Sequence, residues 1–208
     1  MAQLMRFFLI VAFFIAGTSM ATETPNYTVL KADGDFELRQ YEPMIIAKVT
    51  VSGSLDQASG RGFRVLADYI FGNNRVNGAT NATISMTAPV TMVAQSERIE
   101  MASPVTLTER NGRWTMQFVM PSDYTMATLP RPNNPAIEIE QRAEQYYAVA
   151  RFSGFTGEQK VAEQAEALLK WLADRELTPL SAPEIARYDP PWTLPFFRRN
   201  EVMVAYQP

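Results

Sequence analysis

The sequence predicts an α+β fold made as a single domain from two similar halves, a pseudo-twofold duplicated antiparallel β-barrel-like sheet with one helix per half. Three observations predict it. An internal repeat runs at an offset of 101 residues, the hydrophobic pattern within each copy switches from period two to helical, and a proline-rich break separates the copies.

The first segment lies outside this fold. Arg6 precedes the uninterrupted apolar run Phe7 to Ala16, which is followed by small residues and Ser19-Met20-Ala21. A positive start, a short apolar stretch and a small-residue cleavage site make residues 1–21 a secretory signal peptide. Ten apolar residues fall short of the roughly 20 that a membrane span needs, so cleavage is expected rather than a stable membrane anchor. Residues 22–208 are then a periplasmic or secreted domain, with halves at about 26–128 and 136–206. The absence of cysteine leaves stability to the core and rules out both disulfides and a lipid anchor through Cys.

The repeat lays Phe36–Gly53 over Ile137–Gly154, with identities at Glu37/Glu138, Gln40/Gln141, Ala47/Ala148, Ser52/Ser153 and Gly53/Gly154. Ile45, Ala47, Val49 and Val51 share one face of a strand, as do Tyr146, Ala148, Ala150 and Phe152. Each copy then offers a capping-box start, Ser54-Leu55-Asp56-Gln57 and Thr156-Gly157-Glu158-Gln159. Helical stripes follow: Gly62, Leu66, Tyr69 and Ile70 in the first copy, and Val161, Ala165, Leu168, Leu169 and Leu172 in the second. Gly72 stops the first helix. Alternation over Ile84–Met92 and over Trp114–Met120 predicts further strands, Leu129–Pro135 breaks regular structure, and Val202–Tyr206 forms the last strand.

Composition narrows the chemistry. The chain has 208 residues, no histidine, no cysteine and a net charge of -3. A Ser-His triad, a thiol nucleophile, the usual zinc sites, iron-sulfur clusters and His- or thiolate-ligated haem are therefore excluded. No basic runs are present to bind nucleic acid.

Two stretches are more particular than composition explains: Met86-Thr87-Ala88-Pro89-Val90, and Tyr188-Asp189-Pro190-Pro191-Trp192-Thr193-Leu194-Pro195-Phe196-Phe197-Arg198-Arg199-Asn200-Glu201-Val202. With Tyr41-Glu42-Pro43 and the helix Phe63–Gly72, they resemble the SOUL haem-binding protein family over about residues 26–206. The resemblance implies a compact α+β barrel of two similar halves that binds haem or another tetrapyrrole in a shallow apolar groove beside the first helix, without enzymatic activity. Asp68 stands where animal members carry a lysine before the helix tyrosine.

On that helix, Phe63, Ala67 and Phe71 recur at i, i+4 and i+8 as the apolar contacts of a flat ring, with Arg61 and Arg64 near its carboxylates. Gly60 and Gly62 cost helix stability, and serve either close approach by a ligand or close packing on the sheet. Of Arg198 and Arg199, one is expected to hold Glu201 or a loop carbonyl and the other to face solvent, while Tyr188 and Trp192 are read as packing groups. Other readings are an envelope module for another apolar small molecule or a protein partner, and, by fold-level analogy with gyrase-inhibitor-like domains, a small-molecule hydrolase.

Overall fold

The computed structural model describes residues 23–76, 104–110 and 113–208. The leader, the Ile84–Met92 strand and the Met86–Val90 motif lie outside the described residues. In chain order the elements are β1 (Tyr27–Asp33), β2 (Phe36–Tyr41), β3 (Met44–Ser52), α1 (Leu55–Ile70), β4 (Asn74–Arg75), β5 (Val105–Arg110), β6 (Arg113–Val119), β7 (Arg131–Pro132), β8 (Glu138–Arg142), β9 (Gln145–Phe152), α2 (Glu158–Ala173), β10 (Thr178–Pro179), β11 (Glu184–Arg187), a short 3₁₀ turn (Pro195–Phe197) and β12 (Asn200–Gln207).

Most strands join one curled antiparallel sheet in the order β1-β2-β9-β12-β11-β5-β6-β3-β8, with β10 added to β12. From β2 inward the order runs β9, β12, β11; from β8 inward it runs β3, β6, β5, and β11 meets β5 at the centre. Strands distant in the chain are neighbours, because β2 pairs with β9 and β8 pairs with β3. Leu38 faces Ala148 and Ile139 faces Ala47, which are the same pair of positions under the 101-residue offset.

Period-two patterning sorts the side chains between the two faces of the sheet. Ile45, Ala47, Val49, Met116, Phe118 and Leu107 pack under Leu55, Leu66, Tyr69 and Ile70 of α1. Ala148, Ala150, Val202 and Val204 pack under Leu168, Trp171 and Leu172 of α2. Both predicted helical stripes are therefore the buried ones, and Val161 touches both clusters. The opposite face carries Tyr41, Tyr147, Val149, Ala186 and Met203.

Two local expectations are corrected. Ser54 caps α1, its hydroxyl accepting from the Gln57 amide at 3.5 Å, but the N-cap of α2 is Gly157 rather than Thr156, with no side-chain cap. The two helix starts adjoin, so the Glu158 carboxylate accepts from the Leu55 amide of α1 at 3.3 Å. The Thr156 carbonyl is taken by Arg187 at 3.5 Å. The proline-rich stretch between the halves is also not wholly irregular, because β7 within it pairs with β4 just after α1. Gly72 has φ 118°, the conformation a helix stop requires of glycine.

Candidate functional site

The outer side of α1 brings together most of the residues chosen from the sequence. Phe63 and Phe71 are 40% and 57% exposed, and Ala67 between them is 7% exposed, so a ring would meet two aromatic edges above a small, nearly closed floor. Phe63 is steadied by Phe118 of β6, ring centres 5.6 Å apart. Arg64 lies about 20° around the helix from Phe71, at the edge of this strip. Arg61 points elsewhere: it stands about 160° around from Phe63 and its guanidinium donates to the Ser52 carbonyl at 3.2 Å.

The two helix glycines separate by role. A Cβ on Gly62 would lie 3.0 Å from Met116 Cβ and 3.1 Å from its Sδ, so this glycine lets α1 sit down on β6. Around Gly60 the nearest atom is Arg64 Nη1 at 3.7 Å, leaving its outward surface open.

The loop before β12 is built differently from the expectation. Both arginines are engaged: Arg199 donates to Glu201 at 2.8 and 2.9 Å, and Arg198 donates to the Thr193 and Pro191 carbonyls at 2.7 and 2.5 Å. Tyr188 does pack, donating to Glu201 at 2.7 Å beneath the Arg199 guanidinium. Trp192 does not, and is 82% exposed. Its ring is held outward by a loop fixed through Arg198, and Phe155, Phe196 and Phe197 are exposed as well.

Sequence reasoning missed the face of the sheet opposite the helices. Arg39 of β2 and Glu201 of β12 are both fully buried and form a two-bond pair at 2.9 and 3.0 Å, extended by Glu37, Tyr41, Tyr188 and Arg199. Burial pushes the Glu201 carboxyl up, but the hydrogen bonds and charges of Arg39, Tyr188 and Arg199 outweigh it and hold the group below the usual carboxylate range. Near the middle of the sheet, Glu184 lines a cavity of about 40 Å³ with Tyr41, Met44, Gln117, Arg142 and Tyr147. Burial raises its carboxyl above the ordinary value, against the pull of Arg142. The available signal was Glu37, Arg39 and Tyr41 at every second position of β2, a pattern that reads equally well as a solvated strand face.

Fold and site together define a class: an α+β protein whose curled sheet backs a helix with an apolar, arginine-edged outer face and which presents no histidine or thiol chemistry. The chain belongs to the SOUL heme-binding protein family, whose model matches residues 22–205. Heme-binding protein 2 of Homo sapiens is 30% identical over 161 residues, covering 75% of this chain and 72% of that protein. Heme-binding protein 2 of Mus musculus is 31% identical over 142 residues, covering 68% and 63%. Among solved structures, the EcmrR C-terminal domain shares the fold at TM-score 0.58 and 10% identity, over 87% of this chain and 98% of that one. A hydrolase from Listeria innocua does so at TM-score 0.51 and 10% identity, over 86% and 94%.

Proposed function

We propose that the chain is a periplasmic carrier or buffer for haem or a related tetrapyrrole, held against the outer face of α1 without histidine ligation. The observation that carries this reading is membership of the SOUL family across nearly the whole chain, supported by two relatives named for heme binding. The leader at residues 1–21 supports export, and an exported protein whose intact mass begins at Thr22 is the expected result. An exported mass that retains Met1–Ala21 would overturn that part of the reading.

The residues of the α1 face fit a tetrapyrrole. Phe63 and Phe71 offer apolar surface to its ring and Arg64 offers a partly solvated charge to a carboxylate, while the iron is left to water or to Tyr, Met or Lys. Haem is cargo here, and no bond is made or broken by the protein. Affinity comes from covering the ring faces, at about 25 cal/mol per Å² of apolar surface. Exposed arginine–propionate pairs add about 0–1 kcal/mol.

That ranking sets the test. Ala67 is too enclosed for a charge to be placed there without disturbing the core, so the charge goes on Phe71. In a Soret titration with haemin, Phe71→Glu is expected to weaken binding about tenfold or more, by setting a carboxylate against the ring and removing an apolar contact. Arg61→Ala, already occupied by the Ser52 carbonyl, should change affinity less than about threefold. Unchanged haemin affinity in folded Phe71→Glu protein would move the site off this face. A featureless partition curve for the wild type would favour a different apolar ligand.

A further inference from the structure

Two arginines that reach into the fold are paired with carboxylates, the fully buried Arg39 and the half-buried Arg175. Arg39 has Glu201 and Glu37, and Arg175 has Asp33. Arg187, at the end of β11 on the helix side of the sheet, has no carboxylate within ion-pair distance among the described residues. Its Nη1 donates to Ser59 Oγ at 3.2 Å and its Nη2 to the Thr156 carbonyl at 3.5 Å. Its Nε, like that of Arg175, is buried without a hydrogen-bond partner among the described residues. Burial pulls this guanidinium below its ordinary value; the charge of Asp56 opposes that shift and the charge of Arg198 adds to it. Among the described residues Arg198 likewise has only carbonyl partners and the Phe155 ring, 5.7 Å from its centroid. A half-buried cation with an unmet donor, beside a second cation, is favoured by an anion that joins them.

The position of Arg187 says which anion. Ser59 is itself locked, donating to the Leu55 carbonyl at 2.7 Å, and it begins the stripe Ser59, Phe63, Ala67 at i, i+4 and i+8. Ser59 to Ala67 spans about 12 Å along the helix, the scale of a tetrapyrrole with its side chains. The uncapped start of α2 at Gly157 turns its positive end to the same place. We propose that Arg187, with Arg198 beside it, is the anion-binding end of the α1 groove and takes a carboxylate of the ligand whose apolar body lies along Phe63 and Ala67. This rests on the tetrapyrrole reading above and gives the propionates a partner that Arg61, turned toward Ser52, does not provide.

The test compares haemin with its dimethyl ester on the wild type and on Arg187→Met. Haemin is expected to bind the variant about tenfold more weakly, the scale of a lost charged hydrogen bond, with the ester unchanged within about twofold. Equal losses for both probes, or no loss for haemin, would overturn the proposal. Should Arg187→Met fail to fold, Arg198→Met carries the same comparison, with a loss of about threefold expected for haemin alone and the same overturning results. If the wild type takes up neither probe, the tetrapyrrole reading falls. The anion site is then judged with a dansyl-labelled fatty acid against its methyl ester: loss of acid binding alone in the variant sustains it, and any other result overturns it.

Discussion

Replacing Arg39 with alanine is expected to destabilise the protein by about 3–5 kcal/mol, measured by urea denaturation at neutral pH. The guanidinium is fully buried and serves Glu201, Glu37 and the Tyr41 hydroxyl at once. Its loss leaves Glu201 in the interior with Arg199, Tyr188 and the more distant Arg151 at 3.9 Å, and opens a void where β2 meets β9. A change under about 1 kcal/mol would show that the pair contributes little. The same network sets an acid limit. Because the folded Glu201 carboxyl lies below its unfolded value of about 4.3, its contribution is present above that pH and is lost as pH falls through the folded value. Glu201→Gln should therefore be less stable at pH 7 and flatter in its acid dependence. Glu184 works in the opposite sense: its raised carboxyl costs stability at neutral pH, and acidification through its folded value toward its unfolded one relieves that cost.

Gly62→Leu is expected to cost roughly 1–3 kcal/mol, toward the upper end, because the added Cβ meets Met116 Cβ as well as the adjustable Sδ. Gly60→Ala should instead stabilise by up to about 1 kcal/mol, since the open surface there leaves helix propensity to decide. Thermal denaturation of both variants checks the pair. Equal effects of the same sign would refute a packing role specific to Gly62. A Gly62→Leu variant with unchanged melting temperature would show that α1 can lift from β6, and the surface offered by Phe63 and Phe71 would then not be a fixed one.

Much of the architecture was legible because it rests on local periodicity. Ile45, Ala47, Val49 and Val51 alternate, Leu168 and Leu172 recur one turn apart, and each pattern states which face is apolar whatever covers it. The same periodicity sets Phe63, Ala67 and Phe71 along one side of α1, with Ala67 buried between the two exposed rings. Arg61 was placed beside it by proximity in sequence, but two residues along a helix is more than half a turn. The second helix cap was misread by one residue because Glu158, which fits a capping box by spacing, answers an amide of the other helix.

The sequence by itself determined the fold class, the patterns that bury one face of each helix, the chemistry that a chain without histidine or cysteine forgoes, and the motifs of its family. Only the tertiary structure decided which charges are partnered. Arg39 and Glu201 are 162 residues apart and meet because β2 pairs with β9, beside β12. Among the described residues Arg187 is left without a carboxylate because β11 ends where two helix starts converge on it. Hydrophobic burial follows a period readable along the chain, whereas charge pairing depends on distances across strands that the chain order does not contain.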